Sequence, residues 1–210
     1  MSAIYVNSIK DKTNTRELAS DSGSAWSWGS GLPSGSIVQV QSTQLTTGAS
    51  TTLTSTSTDY VVMSGTATAS GSGLLDVNIT PKITGSKIWL QCNWMGEFSN
   101  SSSVYNHMFF FWRNTTKLAN TTSGSGTANV GISPATLSYH NADDVSTCEH
   151  LFMQYFDTHG ISAGTQITYK LGVIVGILST NLVTNRGIGD GTNTDYERGV
   201  SSLVAIELAP

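Results

Sequence analysis

Charge is what this sequence has least of. Asp, Glu, Lys and Arg make up 11% of its 210 residues, against roughly 25% in an ordinary soluble domain. The net charge is −4, and no run of Lys or Arg exists. The electrostatic footprint by which proteins hold nucleic acid is therefore missing, and no nucleic-acid partner is expected. No apolar stretch approaches the roughly 20 residues of a spanning helix, so no membrane insertion is expected. Met1 to Lys10 lacks a basic start followed by an apolar block, the mark of a secretory signal. The chain is thus expected to be made in a cytoplasm without an export address. Two cysteines, Cys92 and Cys148, are too few for a disulfide framework. Both sit in apolar strand-like runs and read as buried free thiols, with a bridge between them as the alternative.

What fills the gap is hydroxyl. Ser and Thr together make up more than a quarter of the chain, and 38% of residues are hydrophobic. A core can therefore be built, under a neutral surface of the kind found on proteins that stay in contact with partners or work outside cells. The length suits one sizeable domain plus an arm.

The sequence divides at residues 32 and 33. In 1–32, Ile4, Val6 and Ile9 give a short apolar pattern, a polar stretch follows, and the Gly/Ser-rich stretch Ser22 to Gly31 holds Trp26 and Trp28. Such a segment cannot bury enough surface to fold alone. Two tryptophans two apart share one face of an extended chain, and they read either as an arm docking on a partner or as packing against the chain's own domain. From Pro33 to Pro210 the signal is all-β. Nine strands are expected, at Ser36 to Ser42, Asp59 to Met63, Leu75 to Thr80, Lys87 to Trp94, His107 to Arg113, Glu149 to Tyr155, Gln166 to Ile177, Val183 to Arg186 and Ser201 to Leu208. They are rich in β-branched and aromatic residues and are separated by Gly, Ser, Asn and Asp clusters. No segment carries a long 3.6-residue apolar period. The pattern predicts an antiparallel β-sandwich or jelly roll with an extended N-terminal arm.

Chemistry is sparse. The histidines His107, His140, His150 and His159 have no ligand spacing. Asp143 and Asp144 near His140 lack the regular oxygen ligands and turning Gly of a calcium loop. Gly187 to Gly191 is Gly-rich, but no helix pattern follows to form a phosphate cradle. No nucleophile elbow sits at a strand-to-helix turn. No catalytic residue, metal or cofactor is expected, and the chain does not read as an enzyme.

Aromatic and apolar runs are the remaining candidates. Phe109, Phe110, Phe111 and Trp112 are consecutive, so a strand points two to each face. Val173, Ile174 and Val175 likewise make a strand apolar on both sides, which needs a second cover. A neighbouring subunit is the expected cover, with Phe109, Phe111, Val173 and Val175 as interface residues of a homo-oligomer. The longest stretches without a strand pattern, Gly96 to Asn106 and Asn114 to Asp144, are rich in Asn, Ser, Thr and Tyr. They are candidates for a partner-binding end, with Tyr105 and Tyr139 as contact residues, or else for polar loops covering a sheet edge.

Four motifs in order carry a resemblance. GLPSGSIVQVQST (Gly31 to Thr43), VNITPKITGSKIWLQ (Val77 to Gln91), YFDTHGISAGTQITYKLGV (Tyr155 to Val173) and RGVSSLVAIEL (Arg198 to Leu208) resemble a module common in bacteriophages, particularly marine and cyanobacterial ones. Phe156 and Ala205 stand where that module usually has Leu and Met. The resemblance implies a tail-fibre or other virion structural protein with a jelly-roll-like head, trimeric in the manner of the tumour-necrosis-factor type, and no catalytic residues. Residues 1–32, with Ile4, Val6, Ile9, Trp26 and Trp28, would then be the attachment segment to other virion proteins. The loops, with Tyr105 and Tyr139, would face a host-surface glycan or receptor. A capsid decoration protein or tail adaptor with a purely structural role is the rival reading. A hydroxyl-rich surface without an export signal fits a component of a particle released by lysis.

Overall fold

A computed structural model describes residues 32–99, 106–119, 128–135, 146–176 and 181–210, and the backbone of three short strands before them. Those three, β1 (Ser8–Lys10), β2 (Glu17–Asp21) and β3 (Trp26–Trp28), pair antiparallel in sequence order as a small sheet. The expected extended arm is thus interrupted by strand pairing. Ile9, Trp26 and Trp28 fall on these strands, where only the backbone is described, and Ile4 and Val6 lie outside the described residues.

The remaining strands form a β-sandwich of the jelly-roll kind, with no helix among the described elements. One sheet holds β4 (Ile37–Leu45), β5 (Ala49–Thr52), β7 (Gly65–Thr66), β9 (Lys87–Phe98), β13 (Glu149–Asp157), β15 (Asn181–Thr184) and β16 (Ser201–Leu208). Across its broad part the order is β4, β16, β9, β13, all antiparallel. The other sheet holds β6 (Asp59–Val61), β8 (Val77–Ile79), β10 (Met108–Arg113), β11 (Thr116–Leu118), β12 (Ser133–Pro134) and β14 (Ile167–Ile174). Here β10 and β14 are the centre, flanked by β11 and β12 on one side and β6 and β8 on the other.

The period-two alternation of the sequence decides which residues face inward. On β16, Ser201, Leu203, Ala205 and Glu207 are buried while Ser202, Val204, Ile206 and Leu208 are half-buried on the other face. On β9, Ile88, Leu90, Cys92 and Trp94 point inward. These meet Phe109, Phe111, Tyr169, Leu171 and Val173 of the opposite sheet in one continuous core. Near its end β9 hands its edge from β16 to β15, at Gly96. A Cβ there would lie 2.0 Å from the Val183 carbonyl oxygen and 2.4 Å from the Trp94 ring, so only glycine lets the two strands approach.

The interface assignment of Phe109, Phe111, Val173 and Val175 is corrected here. All four are fully buried in the chain's own core and offer no surface to a neighbour. The residues that alternate with them do point away from the core, but their cover is intramolecular. Val61, Phe110, Trp112 and Ile174 form a second cluster beneath Met63, Met108, Ala119 and Ile132. Phe110 lies over Gly172, its cross-strand partner, where a Cβ would meet the ring at 2.4 Å. Lys117 Nζ sits 4.5 Å from the Phe110 ring centroid and pairs with Asp59 at 2.5 Å. The strand apolar on both sides is therefore covered by the chain's own short strands and connections.

Candidate interaction surface

The outer face of β4, β16, β9 and β13 is where the sequence rule of one wet face fails. Cross-strand register places side chains in rows on this face. One row is Phe156, Trp89, Ile206 and Val40; the next is Gln154, Gln91, Val204 and Ser42; a third is Phe152, Asn93, Ser202 and Gln44. Leu208 and Ile37 form a further pair beside Lys87. Exposure is highest at the two edges: Phe152 55% and Phe156 54% on β13, Ile37 62% and Val40 51% on β4. The central Trp89, Val204, Ile206 and Leu208 are half-buried. Phe156 stacks on Trp89 with ring centroids 5.4 Å apart and planes 10° from parallel. The Trp89 indole N–H is closed off from water and has no hydrogen-bond partner among the described residues. Covering each such large side chain is worth about 1.5–3 kcal/mol, so an uncovered row of this kind is a standing driving force for association.

Electrostatically the face is quiet. Its outward positions on the four strands hold no exposed carboxylate: Glu97, near the end of β9, is buried and accepts from the Ile188 N–H at 2.7 Å. Lys87 at one end and His150 near the other, the latter bonded to the Asn93 side chain, are its exposed titratable groups. Glu149, Asp157 and Glu207 are turned inward. Glu207, fully buried, accepts hydrogen bonds from the backbone N–H groups of Lys82 and Ile83 at 2.9 to 3.0 Å and from Gln39 Nε2 at 2.6 Å. Asp157, at the end of β13, accepts from Arg113 Nη1 and from the Tyr169 hydroxyl, both at 2.7 Å, and so ties the two sheets together. Burial first, and the neighbouring Asp157 second, hold the Tyr169 phenol far above its usual range. Within the third motif Asp157 meets Tyr169, while Glu207 of the fourth joins the second, through the backbone just after ITP, and the first, through Gln39. The chemistry of those motifs is internal fastening.

Of the other sequence candidates, Tyr105 and Tyr139 lie outside the described residues. The two stretches that hold them are shorter than the sequence suggested, because β9 runs on to Phe98 and β11 and β12 occupy 116–118 and 133–134. The strand ends next to them nonetheless gather at one end of the sandwich, since Phe98 pairs with Leu182, Met108 with Ile174 and Glu149 with Gly96. His107 is buried there, its Nδ1 accepting from the Gly176 N–H at 3.1 Å and its ring 4.8 Å from that of Phe98. Cys92 and Cys148 are both free thiols, Cys92 buried and Cys148 partly so. Among the described residues no group of three or more His, Cys, Asp or Glu is placed to hold a metal ion. The sequence reading missed the outer face because its apolar residues come from four strands, one or two from each, and become a patch only in register. No protein-family model matches the chain, and no curated protein matches it.

Proposed function

We propose that this chain is a structural component of a bacteriophage particle, a tail-fibre or tail-associated module that takes part in host attachment and works as a homo-oligomer, most simply a trimer. The observation that carries the reading is the ordered set of four motifs that resembles the phage module, together with the way those motifs fasten one another. The contacts of Glu207 with the Lys82 backbone and with Gln39 give a physical reason for three of them occurring together in one sandwich. The exposed apolar face supports association with protein neighbours. No catalytic role belongs to this reading.

Attachment to other virion proteins is assigned to residues 1–32, and host contact to the connections that leave the Phe98, Met108, Glu149 end of the sandwich. Loops at one end of a sandwich can vary without disturbing its core. Immunogold labelling of phage particles with an antibody against residues 33–210 tests the reading. Label on tails is expected. Label confined to heads replaces it with the capsid-decoration alternative, and particles without label reject both.

A further inference from the structure

We propose that copies of this chain meet through the outer face of the broad sheet, the aromatic edge of one copy (Phe152 and Phe156 on β13) packing against the aliphatic edge of the next (Ile37 and Val40 on β4). The proposal rests on the homo-oligomeric reading above and replaces the interface that the sequence suggested, whose residues are core. A sandwich buries the inner faces of its sheets and leaves the outer ones to water, so the outer positions of an antiparallel sheet are ordinarily polar. Here the most exposed large apolar side chains of the described residues lie mainly on this one face, at its two opposite edges.

Charge selects the occupant. The chain carries a net charge of −4, yet the outward positions of β4, β9, β13 and β16 hold no exposed carboxylate, Glu97 being buried beneath Ile188. Two copies can therefore close on the exposed part of this face without carboxylates facing one another, and a basic partner finds no exposed carboxylate there. Size is adequate. Four strands about 4.8 Å apart and paired with one another over seven to nine residues span roughly 20 by 30 Å, in the range of the ~800 Å² that each partner gives to a standard interface. Shape sets the arrangement. Aromatic and aliphatic strips lie at opposite edges with a less exposed middle between them, so each copy has two different strips for two neighbours. Contacts of unlike patches close into a ring when the rotation allows.

The full chain, purified, is run by size-exclusion chromatography with light scattering at about 10 µM, beside Phe152→Glu and Phe156→Glu variants. The native chain is expected to be oligomeric and each variant to fall to the monomer mass with an unchanged far-ultraviolet circular dichroism spectrum. A native monomer overturns the proposal, and so does a variant that stays oligomeric. Should either glutamate variant fail to fold, cross-linking decides. In a Cys148→Ser background, chains carrying Val40→Cys are mixed with chains carrying Phe156→Cys and oxidised. A disulfide-linked dimer that forms only in the mixture supports edge-to-edge contact; its absence overturns it. None of these readouts involves the particle, so a failure here leaves the immunogold result to stand or fall by itself.

Discussion

At the scale of single residues, the titratable groups inside the sandwich set its response to pH and to thiol reagents. Burial pushes the His107 imidazole down to about 4 and also lowers that of His159, and neither Nε2 has a hydrogen-bond partner among the described residues. Both folded-state values lie below the unfolded one, near 6.5. The unfolded chain therefore takes up protons that the folded chain refuses as pH falls from about 6.5 toward 4. Stability is fully present above that window and lost within it, by about 2 kcal/mol for His107 once solvent screening is allowed for. Thermal melts from pH 8 to 4 should show a level midpoint above pH 7 and a decline below 6.5. The decline should be shallower in His107→Phe, and an identical decline in that variant would reject this origin. Burial likewise raises the thiols, Cys92 to about 12 and Cys148 to about 11. At pH 8 the folded chain should then react with iodoacetamide on the order of 100-fold more slowly at Cys148 than the chain in denaturant. Equal rates, followed by mass spectrometry, would count against it. The buried thiol of Cys92 was legible in the sequence because its neighbours alternate as strands do, whereas Cys148 lies just before β13 and is only partly buried. The orphaned imidazole nitrogens were not, since histidine in a strand pattern says nothing about what lies opposite.

At the scale of elements, pairings that join distant strands carry the specificity of the fold. Replacing Asp157 by Ala removes the acceptor shared by Arg113 and Tyr169 and leaves two donors beneath the sheet. A loss of about 3 kcal/mol is expected in urea unfolding, whereas a loss below about 1 kcal/mol would show that water satisfies those donors instead. Gly172→Val places a branched side chain where the Phe110 ring lies over β14. A cost of about 1–3 kcal/mol is expected from overpacking, with loss of the near-ultraviolet aromatic signal, and an unchanged spectrum would refute it. Each of the nine strands anticipated from alternation and turn residues has a counterpart in the sandwich. The short β5, β7, β11 and β12 escaped, because two to four residues rich in Ser and Thr carry no period. The two-sided apolar strand β14 was read correctly as needing a second cover, yet half of that cover, Ala119 and Ile132, comes from a stretch that reads as polar in the sequence. Sequence distance hides such a contact: Met63 and Ile132 share one cluster although 69 residues separate them.

At the scale of the whole molecule, the division near residue 32 and the strand ends gathered beside Phe98, Met108 and Glu149 lead to experiments on the proposed virion role. Deleting residues 1–31 should leave a folded sandwich that is absent from particles. Truncated protein found in virions would remove the tethering role from that segment. Host contact is tested by exchanging residues 120–127 for a short Gly/Ser link, which spares β11, the buried Leu118 and the Lys117–Asp59 pair. Slower adsorption with normal incorporation is expected; unchanged adsorption excludes that segment.

The position of β16 has a consequence for how the protein is born. This strand lies between β4 and β9 at the middle of the broad sheet, with Leu203 beside both Thr43 and Cys92. On a ribosome, β4 and β9 emerge well before residues 201–208 and must wait with their facing backbone edges unpaired. Closing so long a loop is entropically slow, and the waiting edges can recruit strands from neighbouring nascent chains. Folding should therefore complete in a late step after strand 201–208 is released. Stalled chains ending before residue 200 should remain protease-sensitive throughout.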